Sequence, residues 1–359
     1  MSDVDVRGAL CAVIGAGVFL LGAVQAPSEW LDDRGEAFRK ELNSPGLAIV
    51  VARRGEIVYA RGFGTVELEG RQPVTPDTRV RVASITKPVT AAAVLQQVAL
   101  RTMDLDAAAR MHCPEYPSQP IDPTIRHLLA HQSGIRHPTD AEDTKITGEF
   151  ARLADAVRLF ATKPLAFAPG SSTLYSSFGY TLLGCALEGA TKRPYWDVIV
   201  QQVLTPAGVR APARDRPTFA APDFSPGYRG NATGPLRPSI VVDTRFKTPA
   251  SGLIISAADL ARFAIAIAGD AILDAHTRTE MFRVATPTAK PGSFTLGWQV
   301  TSPRDGAAAY YHTGSMEGVT AIVYLVPSRR DAIVLLANRE RSVPALAPLL
   351  TEIGDRVLR

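Results

Sequence analysis

Two short runs rich in β-branched residues, GLAIVVA from Gly46 and IVYARGFG from Ile57, are separated by Arg53-Arg54-Gly55-Glu56. Runs of this length around a glycine-containing turn predict a β-hairpin. A loop rich in Pro, Thr and Asp (QPVTPDT) and a short strand (RVRVA) lead into SITKPVTAAAVLQQVALRTM. The Ala, Leu and Gln content of that run predicts a buried helix, with Pro88 tolerated in its first turn. From about Leu105 to Gly292 the pattern is helical with long irregular connections, in IRHLLAHQSG, EFARLADAVRLFATK, SFGYTLLGCALEGATK, YWDVIVQQVLTPAG and SAADLARFAIAIAG. Strand patterns return in FTLGWQVT, AAAYYHT, GVTAIVYLVP and DAIVLLAN, and APLLTEIGDRVL closes the chain as an amphipathic helix. Two strands, a helical middle, then four strands and a helix predict an α/β fold. One antiparallel sheet, flanked by helices, is built from both chain ends, and a mainly helical subdomain is inserted at about 105–292.

The first 26 residues read as an address. Seventeen uncharged residues, GALCAVIGAGVFLLGAV, end near Val24-Gln25-Ala26, the small-residue pattern of a signal-peptidase site. Asp3 and Asp5 and the borderline length leave two readings open, a signal peptide or a membrane anchor. Either makes the protein exported (periplasmic or extracellular) or membrane-anchored, with residues 27–359 as the folded domain. Hydrophobic residues at 46% against charged residues at 21% exclude a disordered chain. A net charge of +4 falls short of a dedicated nucleic-acid binder. Three cysteines, Cys11, Cys113 and Cys185, make neither a zinc cluster nor a disulfide framework. Cys185 lies in an apolar helical run, so a buried free thiol is preferred to a disulfide with Cys113. The segment 205–249 holds eight prolines and seven basic residues against three acidic ones. It is either a functional long loop or a solvated crossing.

The sharpest chemical signal is Ser84-Ile85-Thr86-Lys87, at the junction of a predicted strand and helix. Positions i and i+3 share a helix face, so the lysine can reach the serine hydroxyl and act as its base if burial depresses its pKa. Alone, this spacing also fits a serine cap beside an exposed lysine. Two distant motifs add to it. Pro169-Gly170 precedes Tyr175-Ser176-Ser177 and a helix predicted to begin near Phe178, and His312-Thr313-Gly314 ends a predicted strand. Gly314 is expected to let a substrate chain approach the strand edge closely. With these three motifs in order, the chain resembles the serine beta-lactamase and penicillin-recognising family, which pairs S-x-x-K with Y-x-N and K-T-G or H-x-G. It looks nearest to the class C-like branch and the serine beta-lactamase-like proteins, over about residues 45–338.

The resemblance implies that Ser84 is the acylated nucleophile and Lys87 takes its proton. It implies that Tyr175 relays a proton to the leaving group and helps activate the deacylating water. His312, Thr313 and Gly314 would line the substrate edge, and the N–H groups of Ser84 and Ser315 would form the oxyanion hole. Ser177 stands where the family usually has Asn, replacing a two-ended amide by a hydroxyl, which puts efficient beta-lactam turnover in doubt. His312 replaces Lys and removes a permanent cation for a substrate carboxylate, favouring peptides or esters. Other signals are set aside. His127 and His131 are four apart but lack the Glu of H-E-x-x-H and read as structural. Gly62 and Gly64 precede no helix, so a dinucleotide site is not expected. Asn231-Ala232-Thr233 fits a glycosylation acceptor only in a eukaryotic exported protein. The expectation is a serine hydrolase without cofactor or metal, acting on a small-molecule or peptide substrate, with no nucleic-acid partner. Membrane attachment through the N-terminal segment and self-association are compatible with it. The alternative is a self-assembling scaffold at a membrane with vestigial hydrolase activity.

Overall fold

The hairpin forms as β1 (Gly46–Arg53) and β2 (Glu56–Gly64), closed by a two-residue turn in which Arg54 and Gly55 are both left-handed, the twist that suits a tight hairpin. These strands belong to a computed structural model that describes residues 27–231, 233–285, 291–340 and 343–358. The predicted signal or anchor segment, 1–26, lies outside the described residues. A helix that the sequence pattern had not indicated, α1 (Pro27–Glu41), precedes the hairpin. Then come β3 (Arg79–Arg81), α2 (Thr86–Ala99), the short helices α3 (Ile125–Leu129), α4 (Asp140–Lys145) and α5 (Leu153–Val157), the longer α6 (Ser177–Thr191), and α7 (Tyr195–Ile199). The proline-rich segment holds three two-residue strands, β4 (Ala213–Arg214), β5 (Tyr228–Arg229) and β6 (Arg237–Pro238). It leads to α8 (Thr248–Ser251), β7 (Leu253–Ser256), α9 (Ala257–Ala268) and α10 (Ala275–Phe282). The last elements are β8 (Gln299–Arg304), β9 (Ala307–Met316), β10 (Val319–Val326), β11 (Asp331–Ala337) and α11 (Ala347–Val357).

Six strands in the order β2-β1-β11-β10-β9-β8 make one antiparallel sheet from both chain ends. Ala337 lies opposite Leu47 on one side and Thr320 on the other. Strands β10 and β11 are buried along their whole length, because helices cover both sheet faces and leave no polar side to alternate with. On one face Leu31 and Phe38 of α1 and Leu349 and Ile353 of α11 pack with Leu47, Ile49 and Leu335. On the other, α9 packs on β1, β10 and β11, with Leu260 and Ala264 in the same core as Val50, Val334 and Leu336. The predicted strand RVRVA shortens to β3 and pairs with β7 in a separate three-stranded sheet. Among the described residues, no helix is long and apolar enough to cross a membrane.

The expectation of free thiols is corrected: Cys113 and Cys185 are joined in a disulfide, with their Cα atoms 5.6 Å apart. Close packing of α6 brings the sulfurs together. A Cβ at Gly189 would fall 1.7 Å from the His112 carbonyl oxygen, so glycine lets α6 lie directly against the chain next to Cys113.

Candidate active site

Ser84 sits in a single 3-10 turn, Ala83–Ile85, that feeds α2. The residue before it, Ala83, has φ of 46°, a left-handed conformation that costs a residue with a Cβ roughly 1–2 kcal/mol. Three bonds hold this turn in place. Val82 N–H donates to the Leu253 carbonyl at 3.1 Å; Thr86 Oγ1 donates to the Ala83 carbonyl at 2.7 Å and accepts from Leu253 N–H at 3.1 Å. Behind the turn, a Cβ at Gly314 would lie 2.1 Å from the Val82 carbonyl oxygen. The close approach that Gly314 permits is therefore to the chain's own backbone, where a substrate had been expected, and it presses β9 against the Ser84 turn.

Lys87 is fully buried. Its Nζ lies 3.1 Å from Ser84 Oγ, 3.2 Å from Ser177 Oγ and 3.1 Å from the Ala250 carbonyl oxygen, 4.6 Å from the Tyr175 ring centroid. Burial, and then the nearby Lys247 ammonium, hold its pKa well below the ordinary lysine range, while Asp143 acts in the opposite direction. An amine in that position can accept a proton. Tyr175 shifts the other way: burial raises its pKa, opposed by a hydrogen bond with Ser84, so the phenol keeps its proton at neutral pH.

The turn that carries Tyr175 is fixed by α6 and two histidines. Ser176 caps α6 by accepting from Gly179 N–H at 2.9 Å, and its hydroxyl donates to the Arg136 carbonyl at 2.8 Å. His131 Nδ1 accepts from Ser176 N–H and His137 Nδ1 from Ser177 N–H, each at 3.2 Å. The His131 ring packs 4.4 Å from that of Tyr175. His127, its partner four residues away, instead caps α3 by accepting from Thr124 N–H.

Strand β8 pairs with β9 only as far as Tyr311, so residues 312–316 run past the end of their neighbour. His312 is 2% exposed. Its Nδ1 lies 2.9 Å from the Thr313 carbonyl oxygen, which can only accept, so the proton resides on Nδ1 and Nε2 is left as an acceptor. Burial, and then Lys87, push the His312 pKa down to about 3, against the pull of the Thr313 bond. Ser84, Ser177 and Ser315 line a cavity of about 370 Å³ together with His137, Asp143 and Lys247. Thr313 does not join them. It lines a separate cavity of about 760 Å³ with Tyr311, Tyr324 and Leu350, on the α11 side of the sheet, as strand alternation requires of a residue next to His312.

Lys247 and Asp143 were not legible in the sequence as site residues. Lys247 is 5% exposed and paired with Asp143 of α4 at 2.5 Å. The proline-rich segment is thus not simply a solvated crossing: it also places Asp215 against Arg81 at 2.9 Å and Asp223 against Arg79 at 2.5 Å, on the strand that leads to Ser84. Cys113, Glu115 and Cys185 cluster within 4.8 Å, yet both sulfurs are committed to the disulfide and offer no thiolate to a metal.

The family model described as Beta-lactamase matches residues 31–356. Over 83% of its length the chain is 24% identical to the serine beta-lactamase-like protein LACTB, mitochondrial, of Bos taurus, covering 71% of that protein. It is 34% identical to esterase EstB of Burkholderia gladioli over 48% of this chain and 47% of the esterase. The solved structure of a beta-lactamase/D-alanine carboxypeptidase from Pseudomonas syringae matches with a TM-score of 0.79 at 20% identity, covering 93% of this chain and 100% of that one. That last likeness concerns the fold. Because the family match runs from α1 to the last turn of α11 and takes in the Ser84 turn, the chain belongs to the beta-lactamase family.

Proposed function

We propose that the protein is a serine hydrolase that forms a covalent acyl-enzyme at Ser84 on an ester or peptide carbonyl. The observation that carries this reading is a buried lysine amine 3.1 Å from the hydroxyl of a cavity-lining serine. In the first half-reaction Ser84 Oγ bonds to the carbonyl carbon, its proton passes to Lys87 Nζ, and the carbonyl electron pair moves onto oxygen. The N–H groups of Ser84 and Ser315 are assigned to that oxyanion. Collapse breaks the bond to the leaving group, which takes the Tyr175 phenol proton, and the Lys87 ammonium replaces it. In the second half-reaction water adds to the acyl carbon and gives its proton to the same Tyr175–Lys87 pair. Ser84 departs with that proton and the enzyme is restored.

Two side chains favour esters or peptides over penicillins. The single oxygen of Ser177 is engaged by Lys87 at 3.2 Å, whereas an Asn would offer a second group to a substrate amide. A neutral His312 supplies no fixed cation for a carboxylate. The ester activity in the name of a relative supports the same choice. The Cys113–Cys185 disulfide supports an oxidising compartment, where the export or anchoring expected of residues 1–26 would place the chain. The test is intact-mass spectrometry and turnover with a penicillin and a neutral ester. The penicillin adduct should persist while the ester turns over. Ser177→Asn should add ~0.5–1.5 kcal/mol and speed penicillin deacylation about threefold to tenfold. Rapid penicillin turnover by the wild type would overturn the ester or peptide preference.

A further inference from the structure

A neutral His312 does not leave the Ser84 cavity without a cation. Lys247 lines the same cavity from the far end of the proline-rich segment and is almost wholly enclosed. It immediately precedes α8, whose Ala250 carbonyl holds Lys87 Nζ, so one helical turn carries both the ammonium and a ligand of the catalytic amine. Asp143 fixes Lys247 from the opposite wall. That wall is itself braced: α4 begins with Thr139 and Glu142 in reciprocal capping bonds, and Glu142 pairs with Arg136 at 2.7 Å. A long, rotatable lysine is thus held at one place in a low-dielectric pocket, where a fixed charge acts strongly on its neighbours.

We propose that Lys247 is a positioning residue of the reaction, a fixed ammonium on the wall of the Ser84 cavity that sets the pH at which Lys87 takes the serine proton. The inference rests on the assignment of Ser84 and Lys87 made above. The groups that face Lys87 are Ser84 on its own turn, Tyr175, Ser177 and Tyr180 from α6 and its lead-in, His131 and His137 from the segment after α3, and His312 from β9. Asp143 of α4 and Lys247 complete the set. The serines contribute no charge and the tyrosines keep their protons. His131, His137 and His312 are all held neutral by burial, His137 with its pKa pushed down to about 4. Burial lowers the pKa of Lys247 itself, opposed by its pairing with Asp143; as the ammonium it disfavours protonation of Lys87, Asp143 favours it, and the first effect is the larger. Acylation needs Lys87 as the amine, so its rate rises with pH through the Lys87 pKa. Removing the Lys247 charge raises that pKa and moves the rising limb to higher pH.

The experiment measures the second-order rate of labelling by an uncharged fluorophosphonate across pH 5–10, read by intact mass, in wild type, Lys247→Met and Lys247→Arg. In Lys247→Met the rising limb should move up by at least about half a pH unit, with the high-pH plateau within about threefold of wild type. Lys247→Arg, which keeps the charge, should return the limb towards its wild-type position. The double variant Lys247→Met/Asp143→Asn removes both partners of the ion pair, so neither is left without the other, and guards against a folding failure of the single one. It should show a smaller shift in the same direction. A lowered plateau with an unmoved limb would make Lys247 a packing residue and overturn the proposal. So would an unmoved limb accompanied by a KM increase for acidic esters alone, the mark of a substrate-carboxylate contact. If the wild type does not label at any pH, the acyl-enzyme reading falls and this proposal falls with it; labelling with an unmoved limb sinks this proposal only.

Discussion

Two groups flank the Ser84 hydroxyl, and their environments drive them apart. Burial and the Lys247 ammonium press Lys87 towards the amine, while burial holds Tyr175 as the phenol. These opposite shifts suit the lysine to accept a proton and the tyrosine to donate one. In the proposed mechanism a proton taken by one is returned through the other, so they should act as a unit, and removals within a unit are strongly non-additive. Lys87→Ala combined with Tyr175→Phe is expected to be hardly slower in ester turnover than the more damaging single change. Losses that simply multiply would show that the two work independently. The Ser84–Lys87 pair was readable because helix periodicity alone puts positions i and i+3 together. The Lys87–Lys247 relation was not, since it joins residues 160 positions apart and depends on burial that no local pattern encodes.

At the scale of elements, the site is a seam between the α2 entry turn and strand β9. Gly314 makes the seam possible, because its missing Cβ is replaced by the Val82 carbonyl. Gly314→Ala is expected to push the Ser84 turn away, slow acylation more than tenfold and cost ~1–3 kcal/mol of stability. Unfolding in urea and the labelling rate measure the two effects, and wild-type values of both would show that the seam is not tight. The strands were legible where β-branched runs and turn residues alternate, as in β1, β2, β10 and β11. The shortened helices were not. EFARLADAVRLFATK supplies a helical pattern over fifteen residues, yet only Leu153–Val157 coil as α5, because tertiary packing overrides propensity in short segments. Helix α1 escaped notice because its burial depends on contact with β2 and with α11 at the other chain end.

The whole molecule closes on itself by pairing its two ends in one sheet, and its interior keeps histidines uncharged. Folded His312 titrates at about 3 and His131 well below its ordinary value, whereas in the unfolded chain both return to about 6.5. Below about pH 6.5 the unfolded state therefore binds more protons than the folded one, and stability decreases as the pH is lowered. For His312 the loss continues to about pH 3, with each histidine contributing up to about 1.4 kcal/mol per pH unit inside its window. The urea midpoint is expected to drop steadily between pH 6.5 and 4, and a flat midpoint there would contradict the burial of these rings as neutral groups. The antiparallel sheet with a helical middle was visible from the order of patterns along the chain; the Cys113–Cys185 bond was not, because two cysteines 72 residues apart, one of them in an apolar helical run, carry no local pattern that tells a bonded pair from free thiols. The most direct test of the central claim is peptide mapping of the protein trapped with an uncharged fluorophosphonate. We predict one adduct, on the peptide containing Ser84, absent in Ser84→Ala, which should retain the wild-type fold and urea midpoint. An adduct formed at the wild-type rate in Ser84→Ala, or located on another residue, would contradict the account.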